Sequence, residues 1–245
     1  MVVQTADLPE GALLEEQTAW LRPARARMLR RVAIARRRRV LDLGAGRGAV
    51  TGELVRRAGG PIVALDRRVR VLGEVDASDA FAVGGDARRL PFAGATFDLV
   101  FSQLTLLWIA PLETALDEIC RVLAPGGALV ALEPDYGGMI EHPSEIASCE
   151  LWLAALRRAG ADPHVGRRLP RLLAARGFDV RVDLFDRLAA PDPARFDLLR
   201  GLPLTEAERA RLAQIEAWRA AHVADAGDWA EIAHLPFFLV TARRS

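Results

Sequence analysis

Residues 40–48 read Val40-Leu41-Asp42-Leu43-Gly44-Ala45-Gly46-Arg47-Gly48, an apolar run that leads straight into a loop with glycine at every second position. Glycine lets the backbone adopt φ > 0 and approach a ligand where any Cβ would collide. A helix predicted from about Ala49 to Arg57 would point its free N–H groups at whatever lies over the loop. The stretch therefore predicts a strand, a glycine loop and a helix that together bind a nucleotide-like ligand.

The glycine loop alone leaves the ligand open. Gly44, Gly46 and Ala49 also match the G-x-G-x-x-[GA] pattern of dinucleotide-binding dehydrogenases. Asp66 ends the second apolar run, 22 residues after Gly44, where a carboxylate can accept hydrogen bonds from both ribose hydroxyls. An ordinary turn aspartate is the alternative, and we favour the ribose because of the spacing from the loop.

Composition excludes several classes of protein. The chain has 245 residues, of which 51% are hydrophobic, so it can bury a full core and is not disordered. A formal net charge of +1 argues against a dedicated nucleic-acid binder. All 33 basic residues are arginine, which excludes lysine Schiff-base chemistry and a P-loop lysine.

The chain also carries hints of its compartment. Cys120 and Cys149 have no C-x-x-C neighbour, which suits a reducing interior. The first residues lack the order of a signal peptide, and no apolar run approaches the ~20 residues of a membrane span. We predict a cytoplasmic protein that binds neither membrane nor nucleic acid and holds no metal; its oligomeric state is not predicted.

Seven apolar or alternating runs predict strands. They are Val40–Leu43, Pro61–Leu65, Ala80–Val83, Phe97–Phe101, Ala128–Leu132, Asp179–Phe185 and Pro236–Thr241. The first five lack polar alternation and are separated by helical segments, such as the one carrying Leu112, Leu116, Ile119 and Leu123 on one face. This predicts the α/β class: a Rossmann-like, doubly wound, mostly parallel seven-stranded sheet with an antiparallel edge strand and helical cap elements.

No repeat or long linker divides the chain, so residues 1–245 are predicted to form a single domain. Residues 1–38 would be an N-terminal helical cap, 39–135 the cofactor-binding core, and 136–245 the substrate-side helices and last two strands. Gly11–Ile34 reads as helix that Pro23 should kink or interrupt. Thr205 and Glu208 form a capping box that opens a later helix.

Taken in order, a series of short motifs resembles the motifs of the class I S-adenosylmethionine-dependent methyltransferases. The residues in these motifs are most similar to those of the ubiquinone/menaquinone-biosynthesis enzymes. The motifs are Asp42–Gly48, Asp66, Gly85-Asp86-Ala87, Leu90-Pro91-Phe92, Phe97–Val100 and Arg121–Gly127. Each is weak alone, and their order across about residues 40–134 makes the signal strong. The resemblance implies S-adenosylmethionine as cofactor and S-adenosylhomocysteine as product.

The resemblance also implies roles for individual residues. Gly44, Ala45, Gly46 and Gly48 would pass under the methionine part of the cofactor, with Asp42 fixing the loop. Asp66 would hold the ribose and Arg67 would stack on adenine through its guanidinium plane. The adenine amine would be bound by Asp86, with Ala87 at the ring edge, and Ser102 would lie near the methionine amine.

The acceptor side is less defined by the sequence. Tyr136 and His142 follow the fifth predicted strand and are the candidate general bases, against the alternatives of a packed tyrosine and a surface histidine. Arg167 is a candidate for binding a substrate carboxylate or phosphate, against a solvated arginine. Gln17, Trp20 and Trp108 are candidate lid or pocket residues, although core packing would explain the tryptophans equally well.

We therefore predict an enzyme that transfers a methyl group from S-adenosylmethionine to a small-molecule acceptor by in-line displacement. Two alternatives stay open at this point. One is a Rossmann-type NAD(P)-dependent dehydrogenase, which would not explain Asp86 or the Arg121–Gly127 turn. The other is a protein that binds S-adenosylmethionine without catalysis.

Overall fold

A computed structural model describes residues 18–72, 80–185, 188, 191, 195–222 and 229–244. These residues contain nine strands. They are β1 (Val40–Leu43), β2 (Ile62–Asp66), β3 (Ala80–Gly84), β4 (Phe97–Gln103), β5 (Leu123–Pro134), β6 (Ile140–His142), β7 (Phe178–Leu184), β8 (Ile232–His234) and β9 (Phe237–Arg244).

Seven of the strands form one sheet in the order β3-β2-β1-β4-β5-β9-β7, and β6 pairs with β8 in a separate two-stranded sheet. Strands β1 to β5 are parallel, whereas β9 runs antiparallel to both of its neighbours. The predicted mostly parallel seven-stranded sheet with one antiparallel strand is thus confirmed. That strand, β9, lies one place in from the edge, and the edge strand is β7.

Eight α-helices occur in the described residues. They are α1 (Arg22–Arg31), α2 (Thr51–Arg57), α3 (Val69–Leu72), α4 (Leu112–Val122), α5 (Cys149–Arg158), α6 (Val165–Ala174), α7 (Arg195–Arg200) and α8 (Glu206–His222). None of the helices in this part of the chain is long and apolar enough to cross a membrane.

Two hydrophobic layers cover the sheet, because neighbouring residues of each strand point to opposite faces. In β4, Val100 packs into the layer formed with α4, α5, α6, α7 and α8. Leu99 and Phe101 pack into the other layer, which α1 and α2 cover. Burial on both faces is why the central strands are continuous apolar runs without polar alternation.

Local details both match and correct the sequence predictions. Thr205 and Glu208 form the predicted capping box, with Thr205 N–H donating to Glu208 Oε2 at 2.7 Å and Glu208 N–H to Thr205 Oγ1 at 3.2 Å. Pro23 lies in the first turn of α1, where its missing N–H costs nothing. Leu123 is the first residue of β5 and not the last helical contact, because its backbone pairs with Phe97.

Candidate active site

The glycine loop follows β1 and folds back over β2. Gly44, Gly46 and Gly48 have φ of 76°, 55° and 85°, a region that side chains other than glycine enter only at a cost. The N–H groups of Gly44 and Ala45 both donate to the Leu65 carbonyl, at 2.8 and 3.0 Å. The loop is therefore held by backbone hydrogen bonds, and α2 begins three residues after it.

A close contact joins the glycine loop to the loop after β4. A Cβ on Gly44 would lie 2.2 Å from Thr105 Cγ2, so only glycine fits. The Thr105 hydroxyl in turn donates to the Gln103 carbonyl at 3.0 Å. Strands β1 and β4 are the neighbours at which the sheet order reverses, and the crevice outside that point is where sheets of this kind bind ligands.

Two aspartates, Asp42 and Asp66, hold the glycine loop and the start of α2 in place. Asp42 is buried in β1 and accepts a 2.7 Å hydrogen bond from the Thr51 hydroxyl at the start of α2; its burial raises its pKa to about 6. Asp66 ends β2 and accepts hydrogen bonds from Gly46 N–H at 3.0 Å and Arg68 N–H at 2.8 Å. Each Asp66 oxygen keeps acceptor capacity for a ligand hydroxyl.

Asp86, next to the end of β3, is paired within the chain. Arg88 donates from Nε to Asp86 Oδ1 at 3.0 Å and from Nη2 to Oδ2 at 2.6 Å, and this guanidinium lowers the pKa of Asp86. Ala87 is buried, whereas Arg67 is exposed. An amine bound by Asp86 would have to share the carboxylate with Arg88.

Ser102 lies at the end of β4 and is fully buried beside Glu133 of β5. Glu133 Oε1 accepts hydrogen bonds from Leu106 N–H at 2.9 Å, Thr105 N–H at 3.1 Å and the Ser102 hydroxyl at 3.3 Å. Burial raises the pKa of Glu133 to about 7. Glu133 therefore fixes the backbone of Thr105, whose side chain contacts Gly44. The sequence analysis missed this role, although the carboxylate lies near the end of an apolar strand.

Gln103 and Arg25 form a second group that the sequence analysis missed. Arg25 of α1 is 2% exposed and donates to Glu53 Oε2 at 2.6 and 2.8 Å and to Gln103 Oε1 at 3.0 Å. The Gln103 Nε2 donor is buried and has no hydrogen-bond partner among the residues that the structure describes. Residues 25, 53 and 103 are far apart in the sequence, and no periodicity links them.

The two candidate bases lie in different environments. Tyr136 is buried, stacks on Trp152 with ring centroids 5.1 Å apart, and has a raised pKa because burial disfavours the phenolate. Burial therefore disfavours Tyr136 as a base, because a phenol must lose its proton to act as one, and its role stays a prediction. His142 is exposed on β6, and its role stays a prediction.

Of the candidate substrate residues, Gln17 lies outside the described residues. Trp20 is 38% exposed and makes edge-on contacts with Phe185 and Phe237, at 5.3 and 5.1 Å between ring centroids. Trp108 is 40% exposed, in a 3-10 turn that follows Thr105. Both tryptophans are thus only partly covered.

Arg167 of α6 pairs with a buried carboxylate at the end of β5. Its Nε donates to Asp135 Oδ2 at 2.7 Å, and Nη2 lies 2.6 Å from the same oxygen. His164 Nδ1 lies 3.5 Å from Asp135 Oδ1. The Arg167 side chain is 47% exposed, so a fixed guanidinium faces solvent beyond the carboxyl end of β5.

Comparison with known proteins identifies the family. The Methyltransferase domain family matches residues 41–131, from β1 through the glycine loop to β5. Malonyl-[acyl-carrier protein] O-methyltransferase of Halorhodospira halophila is 38% identical over 54% of the chain and 46% of its own length. The demethylmenaquinone methyltransferase of a Mycobacterium species is 42% identical over 39% of the chain and 41% of its own length.

Residues 41–131 form a methyltransferase domain, which places this part of the chain among the class I S-adenosylmethionine-dependent methyltransferases.

Other similar proteins differ in name and length. The mitochondrial arginine-hydroxylase NDUFAF5 of Rattus norvegicus is 32% identical over 66% of the chain. The chain spans about half the length, 48%, of that relative. The YcgJ protein of Bacillus subtilis shares the fold, with a TM-score of 0.66 at 14% identity over 91% of the chain and 98% of its own. Phosphoethanolamine N-methyltransferase 2 of Haemonchus contortus was solved with S-adenosyl-L-methionine. It has a TM-score of 0.59 at 16% identity, over 91% of the chain and 52% of its own length.

The chemistry of the residues in this domain fits the cofactor of the family. S-adenosylmethionine carries a carboxylate that needs donors and ribose hydroxyls that need acceptors. The buried Gln103 Nε2 is such a donor, two residues from the Thr105 side chain that packs on Gly44. Asp66 supplies acceptors on the other side of the loop. Gln103, the glycine loop and Asp66 are therefore the residues that would hold the cofactor, and adenine binding by Asp86 stays a prediction.

Proposed function

We propose that the chain transfers a methyl group from S-adenosylmethionine to a small-molecule acceptor. The observation that supports this most is the contact between Gly44 and Thr105 at the reversal point of the sheet, with the buried Gln103 Nε2 donor on one side and Asp66 on the other. When bound, S-adenosylmethionine supplies a methyl group on a sulfonium, which is a good leaving group.

The residues of the chain would act mainly by positioning the cofactor and the acceptor relative to each other. Glu133 accepts hydrogen bonds from the N–H groups of Thr105 and Leu106 and so holds the loop after β4 in place. The Thr105 side chain in turn packs against Gly44 of the glycine loop. Holding two reactants in line supplies large effective molarities, ~10⁵–10⁸ M in well-oriented systems. Tyr136 is held neutral, so it can donate a hydrogen bond to an acceptor but is a poor base. A base is needed only if the acceptor must lose a proton.

The acceptor is proposed to be small because the net charge is +1 and argues against nucleic acid. One relative has a name that includes a carrier protein, and another is named as an arginine hydroxylase. The assay should therefore include free carboxylic acids, phenols and amines beside a carrier-protein-linked acid. Turnover of the carrier-linked acid alone would contradict a free small-molecule acceptor.

Cofactor binding is the first test. S-adenosylhomocysteine at ~100 times its dissociation constant should stabilise the protein by about 2.7 kcal/mol, measured by thermal unfolding. Asp66→Asn should weaken binding at least about tenfold, because a ribose hydroxyl loses an acceptor. Asp117→Asn, which changes an exposed carboxylate on α4, is the matched control and should bind normally.

Methyl transfer is the second test, measured as S-adenosylhomocysteine formed with each acceptor. Stabilisation by NAD(H) and none by S-adenosylmethionine or S-adenosylhomocysteine would refute the proposal and favour the dehydrogenase. Binding without turnover of any acceptor would favour the non-catalytic binding protein.

We also propose that the protein acts in the cytoplasm. The two cysteines are unpaired, which suits a reducing compartment. The rat relative is named as mitochondrial, so a fluorescent fusion that localised to another compartment would contradict the proposal.

A further inference from the structure

A cavity of about 250 Å³ lies between the C-terminal end of α1 and the strands β7 and β9. It is lined by Arg31, Asp179, Arg181, Thr241 and Arg243. Arg31 is the last residue of α1, and the other four residues lie on β7 and β9. The Arg181 side chain is 65% exposed and Arg243 is exposed too, so a ligand can reach the cavity from solvent.

The strand register brings the lining residues of β7 and β9 to one face of the sheet. Arg181 lies opposite Thr241, and Asp179 lies opposite Arg243. Directly opposite residues of antiparallel strands point to the same face. Leu239, two residues before Thr241, packs into the hydrophobic layer that α1 covers. The four residues therefore face α1, whose last residue completes the cavity.

Positive charge is in excess around the cavity, because three arginines and one aspartate line it. Asp183 of β7 accepts a hydrogen bond from Arg31 and lies 3.8 Å from Arg181, so it balances one of these two arginines. Arg243 donates to the Arg31 carbonyl at 3.1 Å and forms no ion pair in the described part of the chain. Asp179 is exposed, so water weakens its effect on an anion. The cavity therefore favours a negatively charged ligand.

Thr241 adds a hydroxyl that has no hydrogen-bond partner among the described residues. The residue is 3% exposed, and its Oγ1 is buried. A buried hydroxyl without a partner costs free energy. Because Thr241 lines the cavity, an anion bound there can accept the missing hydrogen bond. The unpaired hydroxyl and the unbalanced charge of Arg243 are two independent indications of a ligand at the same place.

The size of the cavity limits the ligand. Pockets for drug-sized ligands have volumes of ~300–1,000 Å³. A cavity of about 250 Å³ is smaller, so it suits a small anion better than a nucleotide.

The cavity is also separate from the candidate active site. Arg243 lies opposite Ala128, which precedes the carboxyl end of β5 at Pro134 by six residues. Six residues of a strand span roughly 20 Å. The glycine loop and Asp66 follow the carboxyl ends of the neighbouring parallel strands. A ligand in this cavity is therefore neither the methyl donor nor the methyl acceptor.

We propose that the cavity binds a small oxyanion of the phosphate type, held by Arg181, Arg243 and the Thr241 hydroxyl. A guanidinium offers several N–H donors in a planar fork that matches the oxygens of phosphate. Arg31 adds positive charge from α1, and Asp183 is a positioning residue because it orients the Arg31 side chain. The phosphate is either the free ion or the phosphate group of a small ester.

The test is calorimetric titration of the full chain with inorganic phosphate, glycerol phosphate and acetate in separate arms. Ionic strength is held constant, so that general screening of charges is the same in each arm. The wild type should bind inorganic phosphate or the ester with a dissociation constant of about 1 mM or lower. Acetate should bind at least about tenfold more weakly. Tighter binding of the ester would identify the ligand as a phosphate ester, and tighter binding of inorganic phosphate would identify the free ion.

Two arginine variants separate the site from general electrostatics. Arg243→Gln should weaken phosphate binding at least about tenfold. Arg209→Gln is the matched control, because Arg209 is exposed on α8, does not line the cavity, and its replacement changes the net charge equally. It should bind phosphate as the wild type does.

A third variant guards against loss of folding. Thr241→Val removes the hydroxyl and keeps the shape of the side chain. Its melting temperature without phosphate should equal or exceed that of the wild type, because an unpaired buried hydroxyl is lost. Its phosphate affinity should fall at least about tenfold, because a hydrogen bond to a charged group is lost. Absence of phosphate binding by the wild type, equal binding of acetate, or unchanged affinity in Arg243→Gln or Thr241→Val would overturn the proposal.

Discussion

Replacing Gly44 with alanine should damage the loop in two separable ways. The first is conformational: at φ of 76° a Cβ costs about 1–2 kcal/mol. The second is steric, because the new Cβ would lie 2.2 Å from Thr105 Cγ2 and 2.3 Å from its Oγ1. Forcing an extra methyl into a packed site costs about 1–3 kcal/mol. The total expected loss in the free energy of unfolding is therefore about 2–5 kcal/mol.

Gly126 provides the matched control. Its φ is 72°, but a Cβ there would meet no atom within 4 Å, so Gly126→Ala carries the conformational cost alone. Urea unfolding should show Gly44→Ala losing about 1–3 kcal/mol more than Gly126→Ala. Titration with S-adenosylhomocysteine should show affinity at least about tenfold weaker for Gly44→Ala and unchanged for Gly126→Ala. Equal stability losses with equal affinities would refute the claim that this contact shapes the site.

Three further predictions concern stability. The pKa of Glu133 is about 7 in the folded protein against an ordinary value of 4.5, so the folded state holds an extra proton between these values; unfolding free energy should fall by about 3 kcal/mol as pH rises from 4.5 to 7. In urea unfolding from pH 4.5 to 8, Glu133→Gln should lose this part of the dependence and keep the part that comes from Asp42, whose pKa burial also raises; a curve parallel to that of the wild type would contradict the prediction. Arg25→Ala should cost about 3 kcal/mol, because Glu53 stays buried and keeps only the half-exposed Arg57 as an ion-pair partner. Arg27→Ala on the exposed face of α1 should change little, and similar losses for the two variants would count against the Arg25–Glu53 pair. Thr205→Ala should cost about 1 kcal/mol in the same assay by removing the helix cap, and no loss would mean that the cap adds nothing.

The parallel half of the sheet was predictable because its strands are buried on both faces and therefore read as unbroken apolar runs. The glycine loop was predictable because positive φ leaves few choices of residue. Short β6 and β8, of three residues each, carry no periodicity of their own and were missed. The position of β9 inside the sheet could not be predicted from the sequence either. Alternation of polar and apolar residues indicates which face of a strand is buried, but not which strands pair with it.

The active site divides in the same way. The glycine loop and its two aspartates could be predicted from local sequence, because Asp42, Gly44 and Asp66 occur at or directly after the ends of predicted strands. The buried polar residues of the site could not be predicted, because they depend on contacts between segments that are far apart in the sequence. Arg25 reaches Gln103 across 78 residues. Only the folded chain shows which charges are matched.

The place of β9 between β5 and β7 also has a consequence for synthesis on the ribosome. Strand β7 emerges about fifty residues before β9, yet among the strands that the structure describes β9 is its only hydrogen-bonded neighbour. Until β9 arrives, both β5 and β7 expose open backbone edges, which are sites for pairing with other chains. The nascent protein is therefore most vulnerable to aggregation between the synthesis of β7 and that of β9, and loss of residues 237–244 would prolong that state indefinitely.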